Sequence, residues 1–293
     1  MEKKRFQKIY IEIINTCNMQ CSFCKQTNRP PRIMQIDEFE HIISKINRYT
    51  NIIALHVKGE PLMHPYLKEI LEICEKYKIY VNLTTNGTLL YEKVDILRKS
   101  ESLRQVNISL HSMHKNKGKS LKTLEKYMGD IHKSVQILSK NNKPYISYRL
   151  WNLKDISQNE ENIDMLNFLG KAYGIENLVE EAKKNSFVTL EENVFLNQDV
   201  EFSWPDLRQE EIHQNGTCHG LRNQIAILCN GDVVPCCLDQ DADIKLGNIF
   251  SDELGNIIFS KKSNELIKGF EENKLIHKLC KTCGFPSKFF KDK

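Results

Sequence analysis

The 293-residue chain has no apolar run that approaches the roughly 20 residues a membrane-spanning helix requires. Its basic opening, residues 1–15, holds only a short apolar stretch that Glu12 interrupts, so it lacks the hydrophobic region of a secretory signal. It has no low-complexity tract and no internal repeat, and its 13 glycines and 8 prolines are an ordinary content that argues against a fibrous or disordered chain. These absences predict a cytoplasmic globular protein with no membrane partner.

Arginine is scarce, with 9 residues against 33 lysines, and the lysines are scattered rather than gathered in one block. The formal charge of +4 is weak evidence for a polyanionic partner. No stretch interleaves aromatic and basic residues as RNA-binding segments do. The charges therefore predict a solvated surface and no nucleic-acid partner.

Cysteine is abundant by contrast, with ten residues that fall into two groups and one isolated member, Cys74. The early group lies between residues 17 and 24, and the late group lies between residues 218 and 283. Clustered thiols in a chain without an export signal indicate metal or redox chemistry rather than disulfides.

Short apolar strands alternate with amphipathic helical stretches over the first two-thirds of the chain. Such alternation indicates parallel βα units, and at this length a full or partial βα barrel. The predicted strands are 8–14, 52–57, 79–84, 106–111, 145–150 and a sixth at 194–204, and the predicted helices are 36–48, 66–77, 91–99, 121–139 and 162–171.

The sequence changes in character after Pro205. Asn230-Gly231 separates two short apolar runs, 225–228 and 232–234, and predicts a hairpin with a type I′ turn. A short helix at 263–272 precedes the last cysteine pair. We therefore expect a barrel domain over residues 1–205 and a smaller domain over residues 206–293.

The early cysteines, Cys17, Cys21 and Cys24, directly follow the first predicted strand. In a βα barrel, the loops at the carboxyl ends of the strands carry the chemistry. A structural zinc site would need a fourth ligand, which is missing nearby, whereas three cysteines on a 4Fe–4S cluster leave one iron open to a substrate or cofactor. A zinc loop and an iron–sulfur site both remain possible at this point.

The spacing C-x3-C-x2-C, with Phe23 before the last cysteine, resembles the signature of the radical SAM superfamily. The resemblance implies that Cys17, Cys21 and Cys24 hold a 4Fe–4S cluster whose open iron binds the methionyl group of S-adenosylmethionine. Reductive cleavage of that cofactor then gives a 5′-deoxyadenosyl radical, which takes a hydrogen atom from the substrate. Phe23 is implied to lie at the cofactor.

Two further segments at predicted strand ends resemble motifs of this family. Lys58-Gly59-Glu60-Pro61 is similar to its GGEP motif, with Lys58 in place of the first glycine. The resemblance implies that the backbone at Gly59 and the Glu60 side chain hold the methionyl ammonium. Thr84-Thr85-Asn86-Gly87 is similar to the TNG stretch of the family, so Asn86 is implied to shape the cofactor pocket.

The next two strands supply fainter matches. Ser109 stands where relatives place a partner of the ribose hydroxyls, although His111 replaces the acidic residue that many relatives have next. Arg149, at the end of the fifth strand, is expected to pair with the methionyl carboxylate, because a guanidinium fork matches a carboxylate. Arg29 is expected to help cover the first cysteine loop, either recognising an acidic part of the substrate or lying in solvent.

The late segment resembles the SPASM/twitch extension found behind radical SAM barrels, through its G-x4-C element ending at Cys236, its LGNI step at 246–249 and its final C-x2-C pair. The resemblance implies one auxiliary 4Fe–4S cluster, either redox-active or structural. Its four expected ligands are Cys218, Cys236, Cys280 and Cys283. A structural zinc held by the same four thiols is the alternative.

Cys237 adjoins one of these expected ligands and points elsewhere if the segment is extended. It is either a small buried apolar residue or, as in the peptide epimerases that this layout resembles, a thiol that returns hydrogen to a substrate radical.

These observations together predict a partial (β/α)6 TIM-like barrel with a small C-terminal twitch/SPASM iron–sulfur domain. The expected function is that of a radical SAM oxidoreductase that dehydrogenates or cross-links a peptide or a small molecule. Its auxiliary cluster would accept an electron from the substrate, and a flavodoxin- or ferredoxin-type donor would reduce the first cluster. A redox-neutral peptide epimerase that uses Cys237 and a non-catalytic zinc-binding scaffold are the alternatives.

Overall fold

A computed structural model describes residues 5–25, 27–113, 121–140, 144–155, 157 and 160–289. One sheet of ten strands organises this part of the chain, with six strands from its first two-thirds side by side at the centre. Its central strands are parallel, which confirms the predicted α/β barrel class. These strands are β1 (Lys8–Ile11), β2 (Ile52–Ala54), β3 (Tyr80–Thr85), β4 (Leu103–Ser109), β5 (Tyr145–Leu153) and β7 (Val194–Val200).

Amphipathic helices connect these strands. Each helix packs on the sheet because it has an apolar stripe along one face. In α1, for example, Phe39, Ile42, Ile43 and Ile46 recur at helical spacing and are all buried. None of the helices in the described segments combines the length and apolar content needed to span a membrane. The connecting helices are α1 (Ile36–Ile46), α2 (Leu67–Lys76), α3 (Leu90–Lys99), α4 (Leu121–Leu138), α5 (Ile163–Tyr173) and α6 (Leu178–Lys184).

The sixth parallel strand differs in detail from its prediction. It ends at Val200 rather than at residue 204, and it pairs with an antiparallel strand, β6 (Phe187–Glu191), that the sequence analysis missed together with α6. Asn193 adopts a positive φ of 61° in the tight turn between β6 and β7. An asparagine tolerates this backbone conformation better than most residues. Asn193 was therefore the sequence signal for the turn, but no glycine or proline beside it strengthened that signal.

The C-terminal segment extends the barrel sheet. Strand β8 (Gln224–Ile227) pairs in parallel with β1, and β9 (Asp232–Val234) and β10 (Gly247–Asn248) follow in antiparallel order. Three helices complete the segment, α7 (Leu254–Ile258), α8 (Lys261–Glu271) and α9 (Lys278–Lys281). This pairing brings the late cysteines beside the first barrel strand, whereas the division of the chain after residue 205 stays a prediction.

The predicted hairpin at Asn230-Gly231 exists, but its turn is not of type I′. That type requires positive φ at both central residues, and here Gly231 has a φ of +83° while Asn230 is not in the left-handed region. The Gly231 amide donates to the Leu228 carbonyl at 2.8 Å. The glycine thus closes the turn rather than occupying its centre, as in a three-residue hairpin loop.

Candidate active site

The early cysteine loop begins six residues after the last residue of β1. Burial is the main reason that the pKa values of Cys17 and Cys21 are raised, and the neighbouring thiols add to the effect. The Met19 amide donates to the Cys17 sulfur at 3.4 Å, and the Cys21 thiol donates to the Ser112 carbonyl at 3.7 Å. The loop is therefore folded with its sulfurs close to the end of β4.

Gly59 fixes the position of this loop against the end of β2. Its φ is +81°, and a Cβ atom placed there would lie 2.2 Å from the Ile14 carbonyl oxygen and 2.9 Å from that of Thr16. The next amide, of Glu60, donates to the Thr16 carbonyl at 2.9 Å. Only glycine allows the two chain segments to approach so closely.

The Glu60 carboxylate is buried and holds the ends of β2 and β3 together. It accepts hydrogen bonds from the Thr85 hydroxyl at 2.7 Å and from the amides of Asn86 and Leu62 at 2.8 and 3.1 Å. Burial nevertheless raises its pKa. In turn, the Asn86 side-chain amide donates to Asn18 at 2.8 Å and lies 3.6 Å from the Cys17 sulfur. Glu60 and Asn86 thus lie beside the cysteine loop.

Three more predicted residues lie at the same edge of the sheet. The Phe23 and His111 rings are 4.9 Å apart, and His111 Nδ1 lies 3.1 Å from the Arg149 carbonyl oxygen. Ser109 ends β4 and pairs directly with Arg149 in β5. The backbone of Arg149 belongs to this edge, although its side chain lines a cavity described below.

Lys58, where the motif departs from glycine, reaches the cysteine loop. Its ammonium lies 3.0 Å from the Cys24 sulfur and also donates to the Lys25 carbonyl. A cation therefore sits directly against one of the three sulfurs.

The four late cysteines line one cavity of about 400 Å³ that continues into the barrel. Burial raises the pKa of each thiol, to about 12 for Cys283, and neighbouring thiols raise the pKa values of Cys236, Cys280 and Cys283 further. All ten cysteines of the chain are free of disulfides. Among the described residues, no three histidine, cysteine, aspartate or glutamate side chains converge as a single-ion site requires. The cysteines of the cavity are Cys218, Cys236, Cys280 and Cys283, accompanied by Cys237.

Cys237 lies at the junction of the late segment and the barrel. Its thiol is hydrogen-bonded to the Tyr10 hydroxyl and interacts electrostatically with Lys8, and burial is the main reason that its pKa is raised. Both tryptophans of the chain, Trp151 and Trp204, line the same cavity.

Arg29 does not take the place expected for a residue that recognises an acidic substrate. Its guanidinium forms an ion pair with the buried Glu12 at 2.7 Å and donates to the Gln240 carbonyl at 2.7 Å. Arg29 therefore ties the loop to β1 and to the late segment, and its charge is already neutralised.

Sequence reasoning missed Lys8 and Tyr10, which face the cavity from β1. Their signal was the period-two alternation of the strand, which puts Lys8, Tyr10 and Glu12 on one face. His56, at the end of β2, faces the same cavity.

Residues 11–168 match the family model of the radical SAM superfamily, and residues 218–284 match that of SPASM, an iron–sulfur cluster-binding domain. A probable GTP 3′,8-cyclase of Pyrococcus abyssi is 27% identical over 58% of this chain and 55% of its own length. The antilisterial bacteriocin subtilosin biosynthesis protein AlbA of Bacillus subtilis is 23% identical over 87% of this chain and 60% of its own length. The chain thus spans little more than half the length of these two curated relatives.

The solved structure of Streptococcus suis SuiB bound to the precursor peptide SuiA has the same fold. It superposes with a TM-score of 0.61 at 18% identity, covering 96% of this chain and 70% of SuiB.

Proposed function

Because the chain belongs to the radical SAM superfamily and carries a SPASM segment, we propose that it uses S-adenosylmethionine to oxidise a peptide, by dehydrogenation or cross-linking. The observation that carries this proposal is the single cavity that joins the barrel interior to the four late cysteines. A substrate there lies against the place where an electron acceptor would be held. Oxidation is therefore the reaction that the arrangement favours.

The early loop fits a 4Fe–4S cluster with one open iron. It offers three thiols and no fourth cysteine among its described residues, and Lys58 supplies a positive charge for the thiolates. We propose that Cys17, Cys21 and Cys24 hold this cluster and that Phe23, Gly59, Glu60, Asn86 and Ser109 surround S-adenosylmethionine.

The late cysteines fit a second, fully ligated cluster. Burial raises their pKa values, and a bound metal centre would stabilise the thiolate forms. We propose Cys218, Cys236, Cys280 and Cys283 as its ligands.

When bound, the early cluster and S-adenosylmethionine supply a 5′-deoxyadenosyl radical that takes one hydrogen atom from the substrate. The residues of this chain position that substrate and exclude water. Trp151, Trp204 and Phe202 line the cavity with apolar surface, and the Phe202 and Trp204 rings stack at 5.7 Å. Such a lining shields a reactive species from solvent.

A peptide is the favoured substrate class. AlbA, a bacteriocin biosynthesis protein, and SuiB, whose structure is bound to a precursor peptide, both support it. The GTP cyclase supports a small molecule instead, and its match is confined to 58% of this chain. The match to AlbA extends over 87% of this chain.

A second candidate function is redox-neutral peptide epimerisation. Cys237 favours it, because this thiol lines the cavity, is none of the four proposed ligands and is held by the Tyr10 hydroxyl. It would act as the hydrogen donor, returning a hydrogen atom to the substrate radical from the face opposite the abstraction.

We also propose a cytoplasmic location and a flavodoxin- or ferredoxin-type electron donor. Ten unpaired cysteines suit a reducing compartment, and a low-potential cluster needs a low-potential donor.

The test is anaerobic reconstitution followed by reduction with dithionite in the presence of S-adenosylmethionine. We expect roughly eight irons per chain and release of 5′-deoxyadenosine. One or two zincs and no cleavage would favour the scaffold hypothesis and refute the enzyme.

The two reactions are separated with a peptide encoded beside the gene. Oxidation removes two hydrogen atoms from the peptide mass, whereas epimerisation in heavy water leaves the connectivity unchanged and introduces deuterium at one α-carbon. If Cys237→Ala retains full turnover, epimerisation is excluded. If the variant loses turnover but keeps its iron, an oxidation that does not need Cys237 is excluded.

A further inference from the structure

Two cationic side chains, Lys8 and Arg149, project into the cavity from β1 and β5. The Arg149 guanidinium stacks 4.3 Å above the Trp151 ring, and its Nε atom is buried with no hydrogen-bond partner. The Lys8 ammonium lies 5.1 Å from the centre of the Tyr10 ring. Both charges are thus held by aromatic faces rather than by acids.

No carboxylate is among the described groups that act electrostatically on this pair. The ionisable groups that act on Lys8 are Cys237, Arg149 and Arg104, and the group that raises the pKa of Arg149 is Tyr10. Asp239 is the one carboxylate among the described residues that line the cavity. It already accepts the amides of Asp243 and Ile244 at 2.8 and 2.9 Å.

Burying two cations without a carboxylate partner is costly, because the hydration that they lose is not replaced by a salt bridge. The cost is visible in the pKa of Arg149, which burial lowers to about 10, and in that of Lys8, which burial and Arg149 lower. The imidazole of His56 adds an Nδ1 atom that is buried without a partner. Burial and the two cations depress the pKa of His56 to about 3, so it is neutral near pH 7.

We propose that Lys8 and Arg149 form a subsite for a carboxylate of the peptide substrate, supplied either by a Glu or Asp side chain or by the carboxy terminus. This inference rests on the proposed function for the nature of the substrate. A guanidinium fork and an ammonium match a carboxylate, and an open Nε atom leaves a donor for it. The bound carboxylate would anchor the peptide beside Cys237 and the late cysteines.

This role differs from the one predicted for Arg149 from its sequence position. A methionyl carboxylate would have to reach the side chain inside the cavity that the late cysteines line. A substrate carboxylate needs only to enter that cavity.

The test measures alkylation of Cys237 in the cluster-loaded protein, where the ligand cysteines are protected. Iodoacetate carries a carboxylate and iodoacetamide does not, and both attack the same thiolate, so the ratio of their rates cancels the thiolate fraction. We expect Lys8→Met and Arg149→Met each to lower the iodoacetate-to-iodoacetamide ratio about tenfold, as removal of a focusing charge does. The charge-conserving Arg149→Lys should retain most of the preference.

Arg98→Met is the matched control, because Arg98 is an exposed cation that pairs with Asp95 on α3. An unchanged ratio in the Lys8 and Arg149 variants, or an equal fall in Arg98→Met, would overturn the proposal. Neither result depends on cleavage of S-adenosylmethionine, so failure of the subsite and failure of the proposed enzyme are separable.

Short capped peptides distinguish the source of the carboxylate. Protection of Cys237 from iodoacetamide by acetyl-Gly-Gly-Glu-Gly-Gly-amide supports a side chain, and protection by acetyl-pentaglycine with a free terminus supports the carboxy terminus. Equal protection by the Gln analogue of the first peptide would contradict the proposal. A loss of the iodoacetate preference on adding S-adenosylmethionine alone would also contradict the proposal, because it would indicate that Arg149 binds the methionyl carboxylate.

Discussion

The Lys58 ammonium lies 3.0 Å from the Cys24 sulfur, at the position where the resembling motif has glycine. Reduction adds a negative charge to a cluster, and a nearby cation stabilises the reduced form. We expect Lys58→Met to lower the midpoint potential of the early cluster by about 60 mV, which is a tenfold change in a one-electron equilibrium. Potentiometric titration followed by electron paramagnetic resonance measures this directly.

Two control variants accompany that measurement. Lys58→Arg keeps the charge and should keep most of the potential. Lys68→Met removes an equal charge from an exposed site on α2, where Lys68 pairs with Glu72, and should change nothing. A potential that stays constant or rises in Lys58→Met would show that the lysine does not act on the cluster.

At this scale, sequence spacing grouped the proposed ligand cysteines but did not predict the charged residues around them. The three early cysteines follow one strand in an unusual spacing, so their grouping is local information. The partners of Arg29 and Arg149 depend on segments far apart in the chain. Arg29 contacts Glu12, the residue directly after β1, and the Gln240 carbonyl, and no local sequence pattern predicts either contact.

The ends of β1 and β2 depend on each other through Gly59. Its φ is positive, and an added Cβ atom would lie only 2.2 Å from the Ile14 carbonyl oxygen, so the site has no room for alanine. We expect Gly59→Ala to destabilise the fold by about 2–4 kcal/mol through strain and overpacking, and to lower the iron content of the early loop. Anaerobic thermal unfolding and iron analysis measure the two effects.

Gly129→Ala provides the control in a helix. A Cβ atom at Gly129 meets nothing within 4 Å, and the residue lies inside α4. Alanine there should raise the stability by up to about 1 kcal/mol, because glycine is a poor helix former. If both variants unfolded at the same temperature as the parent protein, the tight packing inferred at Gly59 would be wrong.

Elements with strong local periodicity were predicted well, and pairings between distant elements were not. Each of the six parallel strands lies within an apolar run of the sequence, and α1 has apolar residues at helical spacing along one face. The pairing of β8 with β1 joins residues more than 200 positions apart. Pairing between strands so far apart in the chain depends on tertiary packing, which cannot be predicted from a local stretch of sequence.

Across the whole molecule, one sheet carries both cysteine groups. Strand β1 leads into the early loop at its carboxyl end and pairs with β8, and β9, which pairs with β8, leads to Cys236 and Cys237. The cavity that the late cysteines line also has walls from the barrel strands, so both halves of the chain contribute to it. In the proposed function the late segment would be a wall of the substrate site as well as a metal-binding unit. We therefore expect that variants can separate the functions of the two cysteine groups.

The double variant Cys280→Ala/Cys283→Ala tests that separation. We expect it to lose about four of roughly eight irons, since two ligands of the late cluster are gone. It should still release 5′-deoxyadenosine on reduction, because the early loop is untouched, but it should form no oxidised peptide. Cys74→Ala, which changes a buried cysteine of α2, should keep all the irons and the full product yield. Oxidised product from the double variant would show that the late cysteines do not take part in the oxidation, and a full iron content would show that they are not ligands.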